Sequence, residues 1–104
     1  MTLLLVIGLL ICAAKPAAGR PETPGARAAI RAIFGRYSWQ AIRVATCESH
    51  LNVWARNGQY LGMFQMGNFA RSRFGHGWTP WAQARAAYRY FIYAHGWGPW
   101  QCKP

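Results

Sequence analysis

Thr46-Cys47-Glu48-Ser49-His50 is the stretch from which the fold of this chain is read. Glu48 is one of only two acidic side chains in 104 residues, and neither is an aspartate. The other, Glu22, lies between Pro21 and Pro24. The residues Ala41, Val44 and Ala45 precede Glu48 by seven, four and three positions. On a helix running roughly from Trp39 to Ser49 these side chains share one face. Ser38 stands where it can cap that helix. Arg43 is five residues from Glu48 and points elsewhere. Glu48 therefore continues an apolar stripe near a helix C-terminus. Desolvation and the negative end of the helix dipole both disfavour its charged form there. Both effects raise its pKa, as a general acid working near neutral pH requires. The plainer reading, a capping or surface glutamate, stands beside this one until the neighbouring residues are weighed.

Composition bounds the partners. Lys and Arg total twelve, the formal net charge is +10, and 53% of residues are hydrophobic with 15% aromatic. That is too apolar for a disordered basic chain, and the length admits one domain. A positively charged folded body seeks polyanions: nucleic acid, anionic lipid or an anionic cell wall. Leu3 to Ala14 is an uncharged apolar run, followed by Lys15-Pro16-Ala17-Ala18-Gly19. It is short for a bilayer span and has the length and small-residue exit of a secretory signal. No Lys or Arg precedes the run, and an uncleaved membrane anchor is the alternative. A lipoprotein signal at Cys12 fits less well, because Ile11 sits where a small residue belongs. The expected division is residues 1–19 as an export signal and residues 20–104 as the working domain, secreted or associated with the cell wall. With Cys12 in the leader, Cys47 and Cys102 remain. Two cysteines in a small exported domain usually pair, and closing a loop of this length contributes about 4 kcal/mol in the chain-entropy model. Free thiols in a reducing compartment are the alternative.

Taken in order, Thr23 and Pro24 read as the cap and first position of a helix. Ala26, Ala29, Ile30, Ile33, Phe34 and Tyr37 form its apolar face and Gly35 marks its end. After Glu48, Asn57-Gly58 is a tight-turn signal, and Tyr60 to Met66 supplies one or two short strands. Gly62 within that run suggests a close approach of backbone to a ligand or another segment. A helix over Asn68 to Phe74, capped by Asn68, follows. Thr79-Pro80 opens the clearest helix, with Trp81, Ala84, Tyr88, Phe91 and Ile92 as its buried stripe and Arg85 and Arg89 outside. Gly96-Trp97-Gly98-Pro99-Trp100 ends it and leads to Cys102.

The available chemistry is narrow. His50, His76 and His95 have no metal-ligand spacing, so no metal site or cofactor is expected. A Ser-His-Asp arrangement is excluded because the chain has no Asp. There is no phosphate-cradling glycine loop. What remains is one acid with Trp54, Asn57, Tyr60, Gln65, Trp97 and Trp100 as aromatic and amide partners. Such side chains suit sugars, although the aromatics read equally well as core. Glycoside cleavage normally uses two carboxylates. With one, the substrate must help: the 6-hydroxyl of a muramyl sugar can attack its own anomeric carbon, and the glutamate serves as acid and then as base.

The order Trp39-x-x-Ile42, Cys47-Glu48-Ser49-x-x-Asn52, Asn57-Gly58-x-Tyr60-x-Gly62-x-x-Gln65 and Gly96-Trp97-Gly98-Pro99-Trp100-x-x-Cys102 resembles the resuscitation-promoting factors of actinobacteria. Its Glu-Ser…Gly-x-x-Gln core is similar to that of soluble lytic transglycosylases. The resemblance spans about Trp39 to Cys102. It implies an α+β, mostly helical, compact lysozyme-like domain with a small β-hairpin after the catalytic helix. The implied reaction is cleavage of the β-1,4 bond between N-acetylmuramic acid and N-acetylglucosamine in peptidoglycan. Glu48 matches the catalytic acid, Gln65 and Tyr60 match cleft-lining positions, and Cys47 and Cys102 match the bridging pair. Ser49, Asn57, Trp97 and Trp100 complete the expected substrate-binding set. The chain departs from the pattern at Met63-Phe64, at Asn68-Phe69 and at Tyr93-Ala94-His95-Gly96, which bears on substrate subsites more than on the reaction.

The expected partners are peptidoglycan glycan strands and anionic cell-wall polymers, without nucleic acid, with the chain acting as a monomer. Hydrolysis by a lysozyme is the nearest alternative. A non-enzymatic cationic wall- or membrane-binding protein is the second, since charge and tryptophans suffice for it. Nucleic-acid binding is a weaker third reading, supported by arginines interleaved with aromatics and opposed by the leader.

Overall fold

A computed structural model describes residues 21–104; the expected export signal lies outside the described residues. The fold is α+β and mostly helical. Helix α1 spans Ala26–Phe34, and a single 3₁₀ turn, Gly35–Tyr37, leads into α2, Ser38–Ser49. A two-stranded antiparallel hairpin follows, β1 Arg56–Asn57 and β2 Tyr60–Leu61. Helices α3, Asn68–Phe74, and α4, Pro80–Ala94, complete the chain with a C-terminal tail.

Helix α1 packs against both α4 and α2, so its apolar face must be continuous. Ala26, Ala29, Ile30 and Phe34 are buried at the expected spacing. Phe34 is the centre of the core: its ring lies 5.6 Å from Phe64, 5.2 Å from Tyr88, 5.8 Å from Phe91 and 5.6 Å from Trp97. Burying rings of this size dominates the apolar stabilisation of a small domain. Gly35 closes α1 with its backbone N–H on Arg31 O.

Three expected caps are used differently. Thr23 does not cap α1. Its backbone N–H donates to Leu51 O at 2.9 Å and its hydroxyl accepts from Val53 N–H at 3.0 Å. It ties the N-terminal segment to the loop after α2, and Gly25 takes the N-cap position. Ser38 lies inside α2, because the preceding 3₁₀ turn supplies the helical entry. Asn68 is the first helical residue of α3, and its backbone N–H is held by Gln59 Oε1 at 2.8 Å. Thr79 caps α4 as expected, accepting from Ala82 N–H at 3.1 Å, with Pro80 at the first position.

The stripe of α4 is rotated from the expected one. Trp81 and Ile92 are exposed, and the buried face is Gln83, Ala84, Ala86, Ala87 and Phe91. The rotation follows from Gln83, which is fully satisfied in the interior. Its Oε1 accepts from Met63 N–H at 2.8 Å, and its Nε2 donates to Val53 O at 3.1 Å and Gly77 O at 2.9 Å. One amide thus joins three loops that would otherwise bury unpaired backbone groups. The close approach expected at Gly62 is to this side chain. A Cβ there would lie 2.5 Å from Gln83 Oε1, and Gly62 has φ +83°.

The hairpin has register Asn57↔Tyr60, so its loop is Gly58-Gln59 rather than Asn57-Gly58. Gly58, at φ +62°, occupies the position where a two-residue loop needs a left-handed residue. Leu61 then bridges Met66 across the turn at residues 62–65.

Candidate active site

Glu48 sits one residue before the end of α2 and is buried, 3% exposed. Ala41, Val44 and Ala45 are buried on the same face, as the spacing predicts. Ser49, next in sequence, anchors this helix end. Its hydroxyl contacts Ala45 O at 3.1 Å and Met63 O at 2.8 Å, and it accepts from Asn52 N–H at 3.2 Å. Ser49 does not line the cleft beside Glu48: it is fully buried and its hydroxyl is engaged with backbone groups. It fixes the Glu48 turn against the segment that carries Gln65.

Cys47 and Cys102 form a disulfide with a Cα–Cα distance of 6.0 Å across 55 residues. The bond brings the tail over the acid, where Cys102 N–H donates to Glu48 Oε2 at 3.1 Å. Trp100 pins the same segment by donating its indole N–H to Phe64 O at 2.9 Å. Burial raises the pKa of Glu48, opposed by the backbone N–H of Cys102, the charge of Lys103 and the backbone N–H of Gln101. The acid is therefore more basic than an ordinary carboxyl, and it keeps partners for its ionised form.

Glu48 opens on a cleft of about 380 Å³ whose walls include Asn57, Tyr60, Gln65, Phe69, Tyr90 and Trp100. Of the expected binding residues, Asn57, Tyr60, Gln65 and Trp100 reach this cleft. Trp97 does not line it. Its ring is core, 4.6 Å from Phe91 and 5.1 Å from Trp100, with its indole N–H on Gln40 Oε1 at 2.7 Å. Trp54 is also elsewhere, stacked at 5.2 Å on Trp78.

Gln65 has a left-handed backbone, φ +48°. Its Nε2 donates to Gly62 O at 3.0 Å and Ala55 O at 3.3 Å. Those bonds fix the amide orientation and leave Oε1 buried without a protein partner. A buried acceptor held this way costs free energy until a donor arrives.

Phe69 and Tyr90 are cleft residues that sequence reasoning passed over. Tyr90 lies between Phe74, at 5.2 Å, and Trp100, at 5.1 Å. Burial, Tyr93 and Tyr60 raise its pKa. The signal was its position two residues after Tyr88, off the stripe assigned to the core and so directed to a different surface. Arg71 braces the hairpin wall by donating to Gln59 O and Met66 O, and to Asn68 Oδ1 at 2.8 Å.

Glu22 does not line the cleft; it pairs with Arg27 at 2.9 Å, the one ion pair among the described residues. Glu48 is thus the only carboxylate side chain on the cleft wall. Among the described residues no three His, Cys, Asp or Glu side chains gather to hold a metal, and no helix is long and apolar enough to cross a membrane. No family model, curated protein or solved structure matches this chain.

Proposed function

We propose that this protein cleaves the glycan strands of peptidoglycan between N-acetylmuramic acid and N-acetylglucosamine, through a lysozyme-like domain, as its resemblance to resuscitation-promoting factors and lytic transglycosylases implies. The observation that carries the reading is a buried Glu48, its pKa raised by desolvation, as the only carboxylate side chain in a cleft walled by aromatic rings and amides. Aromatic faces suit sugar rings. In the proposed reaction Glu48 gives its proton to the glycosidic oxygen as the bond from that oxygen to the anomeric carbon breaks. The muramyl 6-hydroxyl then attacks that carbon and returns its proton to Glu48. A 1,6-anhydro end forms, the other sugar leaves with a new hydroxyl, and the acid is regenerated. The backbone donors from the tail support the carboxylate between the two proton transfers. Export to the wall and action as a monomer belong to the same proposal.

Purified protein is incubated with sacculi and the soluble fragments are weighed. Fragments lighter by one water than hydrolysis products support the transglycosylase outcome; unshifted masses assign the enzyme to the lysozymes. Glu48→Gln should abolish release in either case.

One observation favours a second reading. Trp39, Trp54, Trp78 and Trp81 are all exposed on a strongly basic chain, as a cationic wall- or membrane-binding protein requires. Full wall-lytic activity in Glu48→Gln would establish that reading instead.

A further inference from the structure

A second concavity, of about 440 Å³, shares no lining residue with the cleft. Arg27, Ile42, Arg43, Thr46, Cys47 and Lys103 line it, so α1, α2 and the tail each contribute a cation. The three are not equivalent. Arg27 donates from Nε and Nη2 to Glu22, which offsets its charge and leaves Nη1 uncommitted. Lys103 donates to the carbonyls of Trp97 at 3.3 Å and Gly98 at 3.1 Å, and to that of Trp100. It is held in place and contributes charge. The Arg43 guanidinium has no hydrogen-bond or ion-pair partner among the described residues. Its planar fork is free on an open wall.

We propose that this concavity binds a phosphate group, free or carried on a polymer. After Glu22 is counted, the local charge is that of Arg43 and Lys103 together, which a phosphate dianion, or two neighbouring diester groups of a polymer, matches and a single carboxylate does not. The donors also approach from two helices rather than one plane. A carboxylate is satisfied by one guanidinium fork, whereas a tetrahedral oxyanion has oxygens for both Arg43 and Arg27 Nη1. Thr46, whose hydroxyl donates to Ile42 O at 2.6 Å, shapes the floor. The site also borders the acid: Cys47 precedes Glu48, and Lys103 is among the groups that draw the Glu48 pKa down. A dianion beside Lys103 offsets that charge. The proposal does not rest on the glycosidase reading, and its test uses no activity.

The isotope-labelled protein is titrated at constant ionic strength with inorganic phosphate, acetate or a short poly(glycerol phosphate), and read by NMR. Phosphate should give saturable shifts at residues 43, 46 and 103, and acetate should not. Arg43→Ala should weaken phosphate binding roughly tenfold, as expected for a lost charge-assisted hydrogen bond. Arg85→Ala, an exposed cation outside the concavity, should leave it unchanged. Glu22→Gln releases Arg27 and should tighten binding a few-fold, on the order of the exposed ion pair it removes. A polymer that binds more tightly than phosphate assigns the site to polymers, and equal affinity assigns it to the free ion. Equal losses in the Arg43 and Arg85 variants, or shifts that fail to saturate, overturn the proposal.

Discussion

Two buried polar side chains, Glu48 and Gln83, serve this molecule in opposite ways. Both are almost inaccessible, at 3% and 2% exposure. Gln83 spends its carbonyl and amide on three backbone groups from three loops and does not line the cleft. Glu48 has one close backbone donor at 3.1 Å, is raised in pKa by burial, and opens on a cleft. A buried polar group with every bond made is architecture, since its removal strands its partners. A buried polar group with spare capacity facing a cleft is a candidate for binding or chemistry. Substitution should therefore separate the two sites cleanly, activity from stability.

The largest effect is expected at the acid. Glu48→Gln keeps the size of the side chain and removes its proton chemistry, so sugar-strand cleavage should fall by on the order of 10² to 10⁴ or more. The fold should survive, as a thermal melt will register. Retained cleavage would remove Glu48 from the reaction.

Breaking the Cys47–Cys102 bond should rank next. It closes a loop across 55 residues and contributes about 4 kcal/mol in the chain-entropy model. Cys102→Ser should lower the midpoint of denaturant unfolding and, because the tail carries the Cys102 donor and the Trp100 wall, cleavage as well. Gln83→Leu should destabilise by about 3 kcal/mol, the cost of stranding buried backbone groups. Any cleavage measured on the folded fraction should be near that of the parent chain. Equal loss of activity from the Gln83 and Glu48 changes would erase the distinction between them.

The Glu48 side was legible in the sequence and the Gln83 side was not. An acid at helical spacing from Ala41, Val44 and Ala45 announces its own burial, because the stripe is local and period alone places it. The disulfide was legible from cysteine count and α4 from Thr79-Pro80; Asn57-Gly58 marked the turn region, but β1, Arg56–Asn57, lies before the Tyr60 to Met66 run read as strand. Gln83 was hidden because its partners are backbone atoms of Met63, Val53 and Gly77, which no side-chain pattern records. Once it turns inward, Trp81 and Ile92 turn out, and a stripe counted on hydrophobicity misses the rotation. The same blindness affected Ser49 and Trp97. Their residue types suit a sugar site, but Met63 O and Gln40 Oε1 claim them. Phe69 and Tyr90 were missed because a cleft assembled from α3, α4 and the hairpin depends on how those elements dock.

The smallest expected effect is also the sharpest test of the comparison, because it concerns Glu48 with no substrate present. Its pKa is raised in the fold, so the folded chain holds that proton more tightly than the unfolded chain, whose glutamates titrate near about 4.3. The resulting stability is fully present below the unfolded value and is lost as pH rises through the raised folded value. At neutral pH the buried carboxyl is therefore a net cost to stability, whichever form it takes. Glu48→Gln removes that cost, so the variant should be more stable than the parent chain at pH 7 and should lose the advantage toward pH 4. Gln83→Leu should show a constant deficit over the same range, since nothing in the amide titrates. Denaturant midpoints of the parent and the two variants, collected from pH 4 to 8, give the comparison directly. Parallel curves for the parent and Glu48→Gln would mean that the carboxyl has an ordinary pKa, and the case for a poised acid would lose its physical basis.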